Sequence, residues 1–366
     1  LIDYIEKGFT LTDNFIKDNL ITQHKLQAFS PEYFREDSNL YSYSRENFLA
    51  GKSYLKHTDK LKFFKKSLSA PTDEFRKLEI ETLCAFFSHP MKLLLQRRLG
   101  VYLDESTDSI DERENFSING LDKYKIEQDL LKNRLSGLEL DDMLPVQRAT
   151  GTLPHGNIGK VSYHEMSSDA EIFANKIENI TEGKKLNSLD IDYEIAGFKI
   201  TGKMSDIYEQ GLIIFRYATV KPKDYLRAWI YHLLLCTIGD SRCAQKTTLL
   251  GSNLVYEFDP VQNSEEMLEY LLQVYWKGLS EPVHFFPATS YRYVHLLLVK
   301  EKAEYYALGN ARKTWDGNDF NPGESNDLYL DLCFRKTDPL DDEFESISTE
   351  VYRPIFEHGR EVMTIS

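Results

Sequence analysis

The chain has 366 residues, 42% of them hydrophobic and 28% charged, and carries a formal net charge of −14. That length holds one large domain with a sizeable core, or a domain of about 250 to 300 residues with an extra segment. No apolar run approaches the roughly 20 residues that cross a bilayer, and the acidic balance excludes a surface that attracts DNA over its whole extent, because phosphate binding is driven by Lys and Arg displacing counterions. Any nucleic-acid contact must be local. Six lysines fall between Lys52 and Lys66 against Asp59 alone, and six basic residues fall between Arg216 and Leu250 against Asp224 and Asp240; acid collects over 104–114 and 324–350. Such runs also occur simply as solvated faces. Cys84, Cys236, Cys243 and Cys333 are scattered without zinc-finger spacing and suit a reducing cytoplasm. The first residue, Leu1, is not preceded by Met, so the chain is expected to be an excised piece of a longer one.

In chain order, residues 1–75 are expected to form a helical or irregular lead-in, with a turn at Ser30-Pro31, aromatics at Tyr33, Phe34, Tyr41, Tyr43 and Phe48, and a break at 69–72. From Leu78 a helix places Leu83, Phe86 and Phe87 on one stripe. Ser88 is the expected N-cap of a second helix, which carries Met91, Leu94, Leu95 and Leu99 and closes at Gly100. An acidic loop over 104–114 precedes a helix over 123–135, and the breakers of 149–156 predict an exposed loop leading to a helix over 169–180. Leu189, Ile191, Tyr193 and Ile195 alternate with Asp190, Asp192 and Glu194, which predicts a strand with one wet face. Ala196-Gly197 turns it into a second strand reaching Ile207. The apolar run 212–215 predicts a strand buried on both faces. After Pro222 a helix buries Leu226, Ile230, Leu233 and Leu234 along one stripe. A further helix runs from Glu265 to Gly278, and 283–286 is a possible strand. The order is α/β.

The succession of three strands and a helix, with Gly202 on the second strand and Tyr231 on the helix, resembles the PD-(D/E)xK nuclease core of the RecB type. Active members of that class carry Gly-x-x-Asp, then Asp/Glu-x-Lys, then Gln-x-x-x-Tyr. Two carboxylates on adjacent strands hold a hard divalent cation, and the lysine sits near the attacking water. Here Gly202-Lys203-Met204-Ser205 puts Ser205 at the first carboxylate. Phe215-Arg216-Tyr217-Ala218 puts Arg216 at the second and Ala218 at the lysine, while Arg227 and Tyr231 fall on the helix motif with only the tyrosine kept. Asp206 is expected to face away from Ser205, as neighbours on a strand do. The resemblance therefore implies a restriction-endonuclease-like mixed sheet core flanked by helices whose catalytic motif is lost, with no catalytic residues, no metal and no cofactor.

A wider resemblance covers almost the whole chain. Leu26-Gln27-Ala28-Phe29-Ser30-Pro31, Phe86-Phe87-Ser88-His89-Pro90, Arg97 to Tyr102, Phe116 to Leu121, Gly151 to Gly156, Tyr275 to Pro282, and Ala311 with Trp315 occur in an order and spacing similar to the carboxy-terminal domain of the RecC family, the gamma subunits of bacterial exodeoxyribonuclease V. This implies that 76–366 is that nuclease-like domain. It further implies a cytoplasmic, ATP-dependent RecBCD helicase–nuclease with RecB and RecD as partners, acting in repair of DNA double-strand ends and homologous recombination. In that setting the domain holds its partner subunits and helps split the duplex, near a pin that separates the strands. The candidates for DNA contact are His155, Tyr163, His164, Lys221, Lys223, Arg242 and Lys246, beside Arg216 and Arg227.

Two alternatives stay open: a divalent-metal nuclease with a displaced site built from Asp190, Asp192 or Glu194, and a protein-interaction module without DNA contact. His89 before Pro90 is expected to be a helix-start residue rather than a ligand. No phosphate-loop motif is present, so ATP hydrolysis is assigned to partners.

Overall fold

The computed structural model describes residues 2–8, 21–55, 62–103, 117–181, 185–335 and 337–364. Its chain divides into two units, 1–61 and 62–366. Lys56, Asp59 and Lys60 of the basic run, and the acidic stretch 104–114, lie outside the described residues.

The first unit contains α1 (Ile2–Gly8) and α2 (Arg45–Leu55), with a 3-10 turn at Pro31–Phe34. Tyr33 is buried there, its hydroxyl accepting from Lys25 N at 2.9 Å, and Phe34 meets Phe48 edge to face.

The second unit begins with β1 (Lys77–Glu79), α3 (Ile80–Ser88) and α4 (Pro90–Leu99). The expected stripe Leu83, Phe86 and Phe87 is buried on α3. The expected cap moves by one residue: Ser88 ends α3, and His89 caps α4, its Nδ1 accepting from Lys92 N at 3.1 Å. His89 is thus the helix-start residue that Pro90 announced, and Gly100 closes α4 in the left-handed region.

Then come α5 (Gly120–Leu135), α6 (Leu144–Ala149) and α7 (Gly156–Ile180). α7 starts well before the expected residue 169; its added turns bury Gly159, Tyr163, Met166 and Ser167, of which Gly159 and Ser167 leave no hydropathy signal. Leu131 of α5 and Phe173, Ala174 and Ile177 of α7 pack together with Leu250 and Val255.

The predicted hairpin forms as β2 (Leu189–Ile195) and β3 (Phe198–Met204), with Ala196 and Gly197 both at positive φ in the turn. β1 joins β3 in parallel, Lys77 opposite Lys199, to complete a sheet of order β1-β3-β2. β3 stops short of Ile207. Asp206 has φ 58°, and the chain enters a second sheet through β4 (Ile207–Tyr208) and β5 (Gly211–Phe215). β5 also ends before the residues expected on it, leaving Arg216 and Ala218 beyond its last residue.

The helix α8 (Pro222–Ile238) connects β5 to its parallel neighbour β6 (Thr247–Leu250), followed by the antiparallel β7 (Leu254–Phe258). α8 buries far more than one stripe: Leu226, Ile230, Leu233 and Leu234 are covered, and so are Ala228, Trp229 and Leu235, because α3 and the helices that follow close around it. The later helices are α9 (Ser264–Gly278), α10 (Pro287–Val294), α11 (Glu304–Asp316), α12 (Leu328–Phe334) and α13 (Asp342–His358), of which α9, α10 and α13 pack on α8; β8 (Gly359–Thr364) then closes the order β4-β5-β6-β7-β8. No strand forms at 283–286. Val283, Phe285 and Phe286 are fully buried in irregular backbone, so the apolar run marked burial and not a ladder.

The fold is mixed α/β, and no helix among the described residues is long and apolar enough to cross a membrane. Among the same residues all four cysteines are unpaired, with Cys84 and Cys236 buried in the hydrophobic core.

Candidate functional site

The break between β3 and β4 opens a cavity of about 250 Å³, lined by Glu81, Lys203, Ser205, Asp206, Arg227 and Tyr231 together with Leu212 to Phe215 of β5. Backbone requirements place these groups. Gly202 sits at φ 152°, and a Cβ there would come 2.7 Å from Ile80 Cγ2, so glycine lets β3 approach the start of α3. Arg227 and Tyr231, one turn apart on α8, both point at Glu81 on α3. Arg227 grips it with two prongs, at 2.5 Å and 2.6 Å, and the Tyr231 hydroxyl donates to Oε1 at 2.6 Å. Burial alone would raise the Glu81 pKa, but these hydrogen bonds and the guanidinium charge outweigh it and hold the carboxyl below its ordinary value. Burial and the Glu81 carboxylate push the Tyr231 phenol up.

Of the positions singled out by sequence, Ser205 and Arg227 meet at this cavity together with Tyr231. Arg216 and Ala218 do not line it. Arg216 donates its backbone N–H to Leu250 O at 2.8 Å, and its guanidinium is paired with Asp224 in the first turn of α8. Ala218 bonds Arg216 O at 2.7 Å in the turn beyond β5. Asp206 was expected to face away from Ser205; because the strand has ended, alternation no longer applies and both line the same space. Its carboxylate is held by Lys185 at 2.5 Å, which raises the lysine pKa. Glu81 carried no sequence signal beyond that of an acid in a helix first turn.

Each carboxylate of the cavity is therefore already matched by a cation of the chain. Among the described residues no group of three or more His, Cys, Asp or Glu side chains could hold a metal ion. Asp190, Asp192 and Glu194 lie exposed on β2, opposite Lys203, Thr201 and Lys199 in register, with Asp192 2.8 Å from Lys199 Nζ. None of the three lines the cavity.

The candidates for DNA contact separate by burial. Tyr163 is fully buried, its hydroxyl donating to Leu140 O at 2.5 Å, so it offers no ring face to a base; that expectation is corrected. His164 is half-exposed, with Nδ1 3.6 Å from Asp141 Oδ1, and His155 occupies the exposed N-cap position of α7. Arg242 is folded back onto Asp240, with Nη2 2.5 Å from Oδ2, and Lys246 lies 3.9 Å from Asp259. Lys221 and Lys223, exposed at the start of α8, have no ion-pair partner among the described residues.

Together these features define a mixed α/β domain whose central cleft is closed by ion pairs of its own. The family model of the RecC C-terminal domain matches residues 75–297, and the chain belongs to that family. It is 24% identical over 350 residues to RecBCD enzyme subunit RecC of Buchnera aphidicola subsp. Acyrthosiphon pisum, covering 90% of this chain and 32% of that protein. It is 24% identical over 364 residues to the Escherichia coli K12 subunit (93% and 31%) and 25% identical over 286 residues to that of Haemophilus influenzae (76% and 24%). The chain thus spans about a third or less of the length of these relatives.

Proposed function

We propose that this chain acts as the non-catalytic carboxy-terminal part of a RecC-type subunit in a RecBCD helicase–nuclease of the cytoplasm, holding RecB and RecD and helping to split DNA ends during double-strand break repair and recombination. The core is read as a nuclease fold of the restriction-endonuclease type, with the β2–β3 hairpin in one sheet and β5, the α8 crossover and the parallel β6 in the other. The observation that carries the reading is the Arg227–Glu81 pair, a guanidinium seated where a divalent cation would need open carboxylates. Ser205 removes one ligand, and Lys185 occupies Asp206.

The test is to assemble the purified chain with RecB and RecD and, separately, to incubate it alone with magnesium and a forked DNA end. Co-purification with the partners and intact DNA in the chain-only reaction are the expected results. Cleavage by the chain alone that needs magnesium and stops with chelator would overturn the non-catalytic assignment.

A further inference from the structure

The 25-residue helix α7, the longest among the described residues, has two apolar faces, and only one of them is covered. At about 100° per residue, Tyr163, Met166, Ala170, Phe173 and Ile177 share one side. They are buried against α5 and against Leu250 of β6 and Val255 of β7. Ile158, Val161 and Ile172 project from roughly the opposite side and are 60%, 57% and 53% exposed. β-branched residues add nothing at an exposed helix position, where long polar side chains have the better helix propensity. Within this domain the outer stripe therefore has no structural task.

Its spacing is that of a helix-packing seam. Ile158, Val161 and Ile172 stand at i, i+3 and i+14, and Glu165 and Ser168 fill i+7 and i+10 between them. Two heptads of this kind run about 21 Å along the helix and suit a second helix crossing at about 20°. The seam is apolar at both ends and acidic at its centre: Glu165 and the neighbouring Asp169 are exposed and have no ion-pair partner among the described residues. The acids on its flank are differently placed, since Glu171 and Glu178 lie 3.6 Å and 3.2 Å from the Arg134 guanidinium of α5.

That pattern decides among occupants. A second copy of the chain laid over the same span, parallel or antiparallel, would set Glu165 against Glu165. A phosphate backbone or an anionic lipid surface would meet two carboxylates where it needs Lys or Arg. A helix of another protein meets both requirements when its own apolar residues face the ends of the seam and a Lys or Arg faces its centre, the kind of polar pairing that fixes register and partner between helices.

We infer that this outer face of α7 is the docking site for one amphipathic helix of a partner subunit, with a basic residue opposite Glu165. The inference rests on the partner-holding role proposed above and adds a surface that performs it. It is tested by hydroxyl-radical footprinting of Ile158, Val161 and Ile172 in the chain alone, with RecB, with RecD and in the complex of all three. The three side chains should become protected when one of the two partners binds, without DNA. Glu165→Lys, at an exposed position, should leave the melting temperature unchanged and weaken that association about tenfold, and Val161→Ser with Ile172→Ser should weaken it about thirtyfold. If the complex assembles and the three side chains stay as reactive as in the free chain, the docking site is wrong while the partner-holding role stands. Protection that appears only on adding DNA also overturns the site. If no complex forms, role and site fall together.

Discussion

Arg227 and Glu81 meet fork to fork across 146 positions of sequence, with Nη1 2.5 Å from Oε2 and Nη2 2.6 Å from Oε1. The depressed Glu81 carboxyl contributes stability above its unfolded-state pKa, and that contribution is lost as pH falls through the folded value. Both side chains are about half-exposed, so solvent screens the pair, and Glu81→Gln should cost about 0.5 to 1 kcal/mol near neutral pH. Urea unfolding of the two proteins should show the difference shrinking as pH falls below the ordinary carboxylate range.

Asp224 serves two elements at once. Its carboxylate accepts from Lys221 N at 2.7 Å, capping α8, and pairs with Arg216, whose Nε is buried without a partner. Asp224→Ala removes the cap and strands the guanidinium, at an expected cost of about 2 to 3 kcal/mol. Asp224→Asn keeps an acceptor for the cap and should recover part of that loss. Chemical denaturation of both variants orders them.

His232 supplies the acid-side limit. Burial, aided by His358, lowers its pKa to about 4, against the pull of the Asp259 carbonyl; the ring lies fully covered, 3.0 Å from both Thr247 Oγ1 and Asp259 O. Between the ordinary histidine value and that lowered one, the unfolded chain binds a proton that the folded chain refuses, so stability must fall as pH falls. The loss is expected to reach about 3 kcal/mol near pH 4. Replacing His232 with Gln should flatten that part of a stability-against-pH profile; an unchanged slope would remove this residue from the account.

Two glycines should respond in opposite directions. Gly202→Ala forces a Cβ to 2.7 Å from Ile80 Cγ2 at φ 152°, and a loss of about 1 to 3 kcal/mol is expected. Gly309, inside α11 with open space around it, should gain about 0.5 to 1 kcal/mol on replacement by Ala. Thermal melting of the two variants against the parent reads both signs.

The elements legible in the sequence were those with strong periodicity or continuous apolarity. The β2–β3 hairpin followed from alternation around Ala196-Gly197, β5 from its apolar run, and α8 from its stripe. β6 begins with Thr247 and Thr248 and meets β7 across Gly251-Ser252-Asn253, too short and too polar at its start to stand out. β8 has exposed Val362 and Met363 at a sheet edge, so its pairing with β7 left no hydrophobic trace. At the cavity, Ser205, Arg227 and Tyr231 were found by motif spacing. Arg216 and Ala218 were misplaced because β5 ends at Phe215, and strand ends are set by tertiary pairing rather than by local residue type. Glu81 was missed because its role exists only once α3 and α8 come together.

The parallel pairing of Lys77 with Lys199 has an entropic consequence. Everything between β1 and β2, including the hairpin of α5 and α7, is one closed loop in the folding sense, and the closure cost of such a loop grows only logarithmically, by about 0.6 kcal/mol for each doubling of length. Loop residues of that span can therefore be gained or lost at little cost in closure entropy, whereas α3, with Leu83, Phe86 and Phe87 buried, cannot spare any. What the long loop taxes is speed: the β1–β3 ladder joins distant stretches of chain, so its formation belongs among the slow, late events of folding.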